Sequence, residues 1–283
     1  DRYAMVFNGE IYNYQALKTE LSDTIPRWKT SSDSEVLLEA FAKWGKACVH
    51  RLNGMFAFAV WDKQEQEIFV ARDRLGIKPV YYAFKDGMLV FASELRTILC
   101  TNLVDKKINH QSVNDFLRFQ WIQTPNTIVD GIMTIPPGSY GSWKNGKFTI
   151  EKWWELSNFL SNPNLDGPVN IKEVQKRVRE LFYSAVDSRL VSDVPIGAFL
   201  SGGIDSSAVV AAMANMSSTR VNTFCIGFNE KKYDESHFAQ IIAKKYNTNH
   251  ELLTYSADTI RNEIPDILAS FDTPSTDGVN SAV

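Results

Sequence analysis

Between an apolar run, Ile196 to Leu200, and a run rich in small residues, Ala208 to Ala214, stands the segment Ser201-Gly202-Gly203-Ile204-Asp205-Ser206-Ser207. The pattern reads as a buried strand, a tight glycine loop and a helix. Glycines let a backbone approach a ligand closely, and a helix start offers unpaired N–H groups to an anion. Ser201, Ser206 and Ser207 add hydroxyl donors. The segment is therefore expected to cradle phosphate. No Gly-Lys-Ser/Thr follows the glycines, so it is not a Walker loop, and transfer of a γ-phosphoryl group is not expected.

The rest of the composition narrows the field. A chain of 283 residues has room for two domains with real cores. Its net charge of −3 offers nothing to nucleic acid or to an anionic membrane. No apolar run approaches the ~20 residues needed to cross a bilayer, and no signal peptide opens the chain. The three cysteines, Cys48, Cys100 and Cys225, are far apart in apolar surroundings. They read as reduced, buried thiols of a cytoplasmic protein rather than as a disulfide framework. The four histidines are scattered and lack metal-ligand spacing.

Two rhythms divide the chain. Residues 1–155 read mostly as short strands: Tyr3 to Phe7, Met55 to Trp61, Ile68 to Ala71, Val80 to Phe84 and Met88 to Ala92. Asp86-Gly87 and Asn145-Gly146 are hairpin signals. Leu37, Ala40, Phe41, Trp44 and Cys48 recur at helical spacing behind Ser32-x-x-Glu35, which reads as a capping box. A second helix is expected from about Gln111 to Phe119. This half is α+β, with packed sheets and helices outside them.

Residues 156–170 are rich in Asn, Pro and Gly and read as a linker. Beyond it, Ile171, Val174, Val178, Leu181, Phe182 and Ala185 form a helical apolar stripe. A strand at 196–200, a helix from about Asp205, a strand from Val221 to Phe228, a helix at 234–246 and a strand from Glu251 to Thr254 follow. Strands alternating with helices predict a doubly wound parallel sheet, with its ligand at the strand C-termini, over residues 171–283.

Four motifs in order carry a family resemblance. Phe7-Asn8-Gly9-Glu10-Ile11-Tyr12-Asn13-Tyr14 resembles the N-G-E-I-Y-N signature of glutamine-hydrolysing asparagine synthetases. Ser31 to Val36 resembles their S-D-x-E-V, and Arg72 to Tyr82 their R-D-x-x-G-x-K-P-L-Y-Y. The 201–207 segment resembles the S-G-G-x-D-S loop of ATP pyrophosphatases, which cleave ATP between its α- and β-phosphates. Pro136-Pro137-Gly138 to Trp154 is similar to the hairpin that closes the family's first domain. The resemblance implies an αββα class II glutaminase sandwich of the Ntn type, then a PP-loop ATP pyrophosphatase domain, each incomplete.

What the resemblance implies for individual residues follows. Asn8 and the Gly9 N–H would receive the amide oxygen of glutamine as its charge grows, while Glu10 and Asp33 would bind the substrate's ammonium and amide groups. By position alone Asp33 reads as a helix cap. Arg72-Asp73 reads as structural, fixing the turn before Leu75-Gly76. Asp205 and Ser206 would sit at the pyrophosphate with Ser201, Gly202, Gly203 and Ser207. Backbone near Leu200 and Ile226 would read the adenine. An aspartate beside a triphosphate implies Mg²⁺ between them, on Asp205. The acceptor carboxylate, aspartate in the true synthetase, would attack the α-phosphorus, and ammonia would displace AMP.

Class II glutaminases use an N-terminal cysteine whose own α-amine is the base. This chain begins Asp1-Arg2-Tyr3, in the middle of the expected domain, and ends at Val283 before a later S-G-x-G-x-D-E segment. The expectation is a fragment that by itself does not hydrolyse glutamine, with all three cysteines structural. The implied partners are glutamine, ATP and aspartate or another carboxylate, without nucleic acid or membrane, and a homodimer is allowed. Asp277-Gly278-Val279-Asn280 departs from the expected acceptor pattern. A sugar acid or a β-lactam synthetase-like substrate is therefore an alternative, as are a stand-alone ATP pyrophosphatase and an inactive nucleotide-binding module.

Overall fold

A computed structural model describes residues 2–23, 25, 27–160, 170–192 and 194–274. The chain divides into two compact units: Asp1–Pro163 with Phe271–Thr276, and Asn164–Ser270 with Asp277–Val283.

The first unit is layered. Strands β1 (Tyr3–Ile11), β2 (Gly54–Asp62), β3 (Glu67–Arg72), β7 (Ser139–Lys144) and β8 (Lys147–Lys152) form one antiparallel sheet in the order β1-β2-β3-β7-β8. Strands β4 (Tyr81–Lys85), β5 (Met88–Ala92) and β6 (Ile132–Thr134) form a second antiparallel sheet in the order β5-β4-β6. The period-two alternation of side chains sorts the cores. Phe56, Phe58 and Val60 of β2 pack against helices α1 (Tyr14–Leu21) and α2 (Asp33–Trp44). The intervening Ala57 and Ala59 face the second sheet, where they meet Val80, Tyr82 and Ile135. On the far side, Ala83 and Ile132 pack against Leu95 and Ile98 of α3 (Leu95–Cys100). The layer order is helix, sheet, sheet, helix. Asp272 accepts from the Leu95 N–H at the start of α3 (2.7 Å).

Both hairpins form where expected. Asp86 and Gly87 (φ 49° and 76°), like Asn145 and Gly146 (52° and 76°), take the left-handed values a two-residue turn needs. Helix α4 (His110–Phe119) is also where expected. Two expectations are corrected. The helix read through Cys48 stops at Trp44, because Gly45 turns left-handed (φ 57°) and leads into a 3₁₀ turn, Gly45–His50, that buries Cys48. The capping box is not closed: Ser32 Oγ accepts from Ser34 N, while the Glu35 carboxylate turns away to the Lys29 and Thr30 N–H groups. Those donors hold the Glu35 carboxyl below its usual range.

Of the expected linker, α5 (Ser157–Leu160) is a single helical turn, and residues 161–169 lie outside the described residues.

In the second unit, α6 (Ile171–Asp187) precedes three parallel strands, β9 (Gly197–Phe199), β10 (Asn222–Phe228) and β11 (Asn249–Tyr255), ordered β11-β10-β9. Helix α7 (Ile204–Met216) joins β9 to β10, and α8 (Ser236–Tyr246) joins β10 to β11. Both helices share one core with the sheet, built from Leu200, Val210, Cys225, Ala239 and Ala243. The opposite sheet face carries Phe199 and Leu253, 63% and 52% exposed. Phe182 and Val186 of α6 pack against Ala212 and Met213 of α7. The rest of its stripe, Ile171, Val174, Val178 and Leu181, faces outward. Helix α9 (Ala257–Ser270) closes the described chain before Phe271.

Candidate active site

The first unit brings Asn8, Gly9, Glu10 and Asp33 to one end of β1. Tyr3, Met5, Phe7 and Ile11 pack on the helix side of the sheet, so alternation turns Asn8 and Glu10 to the other side. There Asn8 lines a cleft of about 410 Å³ with Val6, Ala57, Ala59, Val70 and Ser93. The two alanines leave the volume open. Asn8 Nδ2 donates to Ser93 Oγ at 3.2 Å. Ser93 was not singled out from the sequence, where it is one serine between a strand and a short helix.

Gly9 has φ 149°, and a Cβ there would sit 2.1 Å from the Met55 carbonyl oxygen and 2.7 Å from Phe56 Cα. The close approach of β1 to β2 requires glycine at this position. The Glu10 side chain is exposed and has no hydrogen bond or ion pair among the described residues. Asp33 Oδ2 accepts from Ile11 N at 2.9 Å, and Oδ1 lies 3.4 Å from the Ser32 and Ser34 hydroxyls. Ser32 is the cap. Asp33 instead fastens the start of α2 to the end of β1, beside Glu10.

A second carboxylate ties β2, next to the cleft-lining Ala57, to the turn after β3. Asp73 is 1% exposed. Its Oδ1 accepts from Leu75 N and Ile77 N, and its Oδ2 from Phe56 N and Lys78 N, all at 3.0–3.2 Å. Arg72 donates to the carbonyls of Gly76, Lys78 and Ile135 and to Thr134 Oγ1. The pair organises backbone, as its placement between two strands suggested. None of the three cysteines lines the cleft among the described residues. Burial pushes the Cys48 thiol up to about 12 and also raises that of Cys225, so neither is a ready thiolate. Cys100 corrects the expectation of three buried thiols: it is exposed, because it ends α3, where the core-facing positions are Leu95 and Ile98.

The second unit holds the serine loop at the C-terminal edge of its parallel sheet. Gly203 is the residue before α7, and among the described residues no side chain caps that helix. Its first N–H groups are therefore available to an anion. The loop bonds to itself: Ser201 Oγ lies 3.0 Å from Ser206 Oγ and accepts from Gly203 N at 3.3 Å, and Ser207 N donates to Gly203 O at 3.0 Å. Ser207 Oγ is buried and unpartnered, an unsatisfied donor at the first turn.

The two glycines differ. Gly202 has φ 80°, and a Cβ would meet Phe238 Cβ at 2.4 Å and Ala239 N at 2.6 Å, so this residue serves the packing of the loop on α8. A Cβ on Gly203 would meet only Ser201 Oγ, at 3.3 Å. Among the described residues little else crowds that side.

Asp205 is exposed, with no hydrogen bond or ion pair among the described residues. Leu200 is 1% exposed and its N–H is committed to the Phe224 carbonyl at 2.8 Å, so its side chain belongs to the core. Ile226 pairs with Leu253 and is half-buried. Asp234, also unread in the sequence, shapes the end of β10 by accepting from Phe228 N, Ser236 N and Ser236 Oγ. Among the described residues no group of three or more His, Cys, Asp or Glu could hold a metal by itself, and no helix is long and apolar enough to cross a membrane. Asp277–Asn280 lie outside the described residues.

An αββα sandwich with an asparagine-lined cleft, joined to a parallel α/β unit with an open serine loop, defines a two-part amidotransferase class. Residues 1–154 match the glutamine amidotransferase domain and residues 177–282 match asparagine synthase. The chain belongs to the glutamine amidotransferase domain family and carries an asparagine synthase domain behind it. It is 39% identical over 251 residues to a putative glutamine-hydrolysing asparagine synthetase 2 of Methanocaldococcus jannaschii, covering 87% of this chain and 47% of that protein. It is 33% identical over 280 residues to glutamine-hydrolysing asparagine synthetase 1 of Bacillus subtilis, covering 98% and 43%. The chain thus spans about half the length of the curated relatives it matches. A solved glutamine phosphoribosylpyrophosphate amidotransferase from B. subtilis is 18% identical with a TM-score of 0.37, over 88% of this chain and 45% of that one.

Proposed function

We propose that the protein carrying this chain is a glutamine-hydrolysing asparagine synthetase, with residues 1–155 as its glutaminase half and 171–283 as part of its synthetase half. The observation that carries this reading is the open start of α7 behind a Gly203 with little of the chain beside it, in one chain with the Asn8 cleft.

In the first half, attack on the glutamine amide builds negative charge on its oxygen. The Asn8 carboxamide and the Gly9 N–H receive that charge, each such donor contributing about 3 kcal/mol. Glu10 and the Oδ1 of Asp33 take the substrate's ammonium and amide groups. The attacking thiolate in this reading comes from a cysteine other than Cys48, Cys100 and Cys225. In the second half, the Ser201–Ser207 loop holds the departing pyrophosphate while an aspartate carboxylate attacks the α-phosphorus of ATP. Ammonia then displaces AMP from the acyl-adenylate. The adenine lies against the strand ends near Leu200 and Ile226.

Mg²⁺ fits the donor set. A lone exposed carboxylate, Asp205, beside serine hydroxyls is what Mg²⁺ accepts when phosphates and water complete its shell. Bound there, it would neutralise charge between Asp205 and the phosphates. With its cysteines unpaired, the protein suits the reducing cytoplasm.

Asp205→Ala in the full-length protein should cut pyrophosphate release by roughly a hundredfold or more and leave glutaminase turnover within about twofold. Equal pyrophosphate release by mutant and wild type rejects the assignment. Product analysis with aspartate against other carboxylates identifies the acceptor.

A further inference from the structure

We propose that Ser93 is a positioning residue for the glutaminase half, holding the Asn8 carboxamide so that its second N–H is presented to the substrate oxygen. The proposal rests on the role given to Asn8 above.

The terminal torsion of an asparagine is broad and roughly twofold, so an oxyanion donor built on it needs an anchor. The residue paired with Asn8 across the ladder, Ala57, has a short side chain, and Val6 on the same face of β1 is 60% exposed. The one side-chain bond to the Asn8 amide among the described residues is the 3.2 Å contact from Nδ2 to Ser93 Oγ. It spans 85 positions in sequence and runs from the first sheet to the residue just past β5 of the second. Ser93 is well placed to anchor. It follows Ala92, which is paired with Tyr81 in the second sheet, and precedes Leu95, which is 2% exposed in the core under α3. A planar carboxamide with one N–H fixed on Ser93 keeps the other at a set angle to it, on the cleft that both residues line. The bond does not touch the substrate, so its loss should loosen the transition-state contact and leave ground-state binding nearly intact.

The test compares glutamine hydrolysis by five forms of the full-length protein: wild type, Ser93→Ala, Ser93→Thr, Asn8→Ala and the Asn8→Ala/Ser93→Ala double variant. Ser93→Ala should lower kcat roughly tenfold, the scale of one net hydrogen bond, with KM for glutamine within about twofold. Ser93→Thr, which keeps the hydroxyl, should recover most of the rate. In the Asn8→Ala background, Ser93→Ala should cost nothing more, because the anchor has nothing left to hold. Unchanged thermal unfolding of Ser93→Ala separates this from a loss of fold. If Asn8→Ala is crippled while Ser93→Ala turns over normally, the positioning role is overturned and the oxyanion reading survives. Fully additive losses in the double variant also overturn it. If Asn8→Ala is itself unaffected, the reading of the cleft falls, and the role of Ser93 with it.

Discussion

The Asn8 cleft and the Ser201–Ser207 loop are built in opposite ways. The cleft is assembled by bonds between distant segments: Asn8 to Ser93 across 85 positions, Ile11 to Asp33 across 22, and Phe56 to Asp73 across 17. The loop is held by bonds no longer than five positions, Ser201 to Ser206 and Gly203 to its neighbours. A site made from long-range bonds is rigid before its ligand arrives and depends on the whole sandwich. A site made from local bonds keeps its ligand-facing N–H groups free. The contrast fits the roles proposed for the two sites, since an oxyanion hole must be preorganised and a phosphate cradle needs open donors.

Removing the deepest long-range support should have the largest effect. Asp73→Ala removes the shared acceptor of four backbone N–H groups, that of Phe56 buried and the other three part-buried, and we expect a loss of about 3–5 kcal/mol in urea unfolding of the first unit. A loss below about 1 kcal/mol would show that this junction does not hold the sandwich together. Next, Asn8→Ala should lower glutamine turnover roughly 10²-fold with the fold intact; an unchanged rate would leave Asn8 a residue of β1 and nothing more.

The two loop glycines sharpen the comparison from the other side. Gly202→Ala forces a Cβ into α8 at a left-handed φ, so it should destabilise the second unit by about 1–3 kcal/mol. Gly203→Ala should leave unfolding nearly unchanged yet reduce pyrophosphate release, because its Cβ would stand where the proposed phosphate approaches. Equal stability losses at the two positions would erase the distinction.

The smallest expected effect is at the edge of the first sheet. Arg2 holds the Asp62 carboxyl well below its ordinary 3.8, to about 2. A folded-state value below the unfolded one gives stability that is present above pH ~4 and is lost as pH falls toward about 2. Acid titration of unfolding in Arg2→Ala should show a shallower decline through that window than wild type.

The same division explains what the sequence disclosed. The hairpins at Asp86-Gly87 and Asn145-Gly146 and the strand–loop–helix around Ser201 are local, and local chemistry writes them plainly. The αββα order needed more, since Ala57 and Ala59 differ from Phe56 and Phe58 only in which side they face. Ser93 and Asp234 left no signal, because their partners are set by tertiary folding. The end of α2 was missed because one glycine overrode an apolar spacing that continued to Cys48. The outward stripe of α6 was legible as a helix, but not as one whose apolar face most of the described chain leaves open.

The central claim is that the loop at the start of α7 takes the leaving diphosphate of ATP. The most direct measurement is a crystal structure of the full-length protein with ATP and Mg²⁺. The account predicts phosphate oxygens against the first N–H groups of α7, on the open side of Gly203, with the cation beside Asp205. Nucleotide bound elsewhere, with that loop empty, would contradict it.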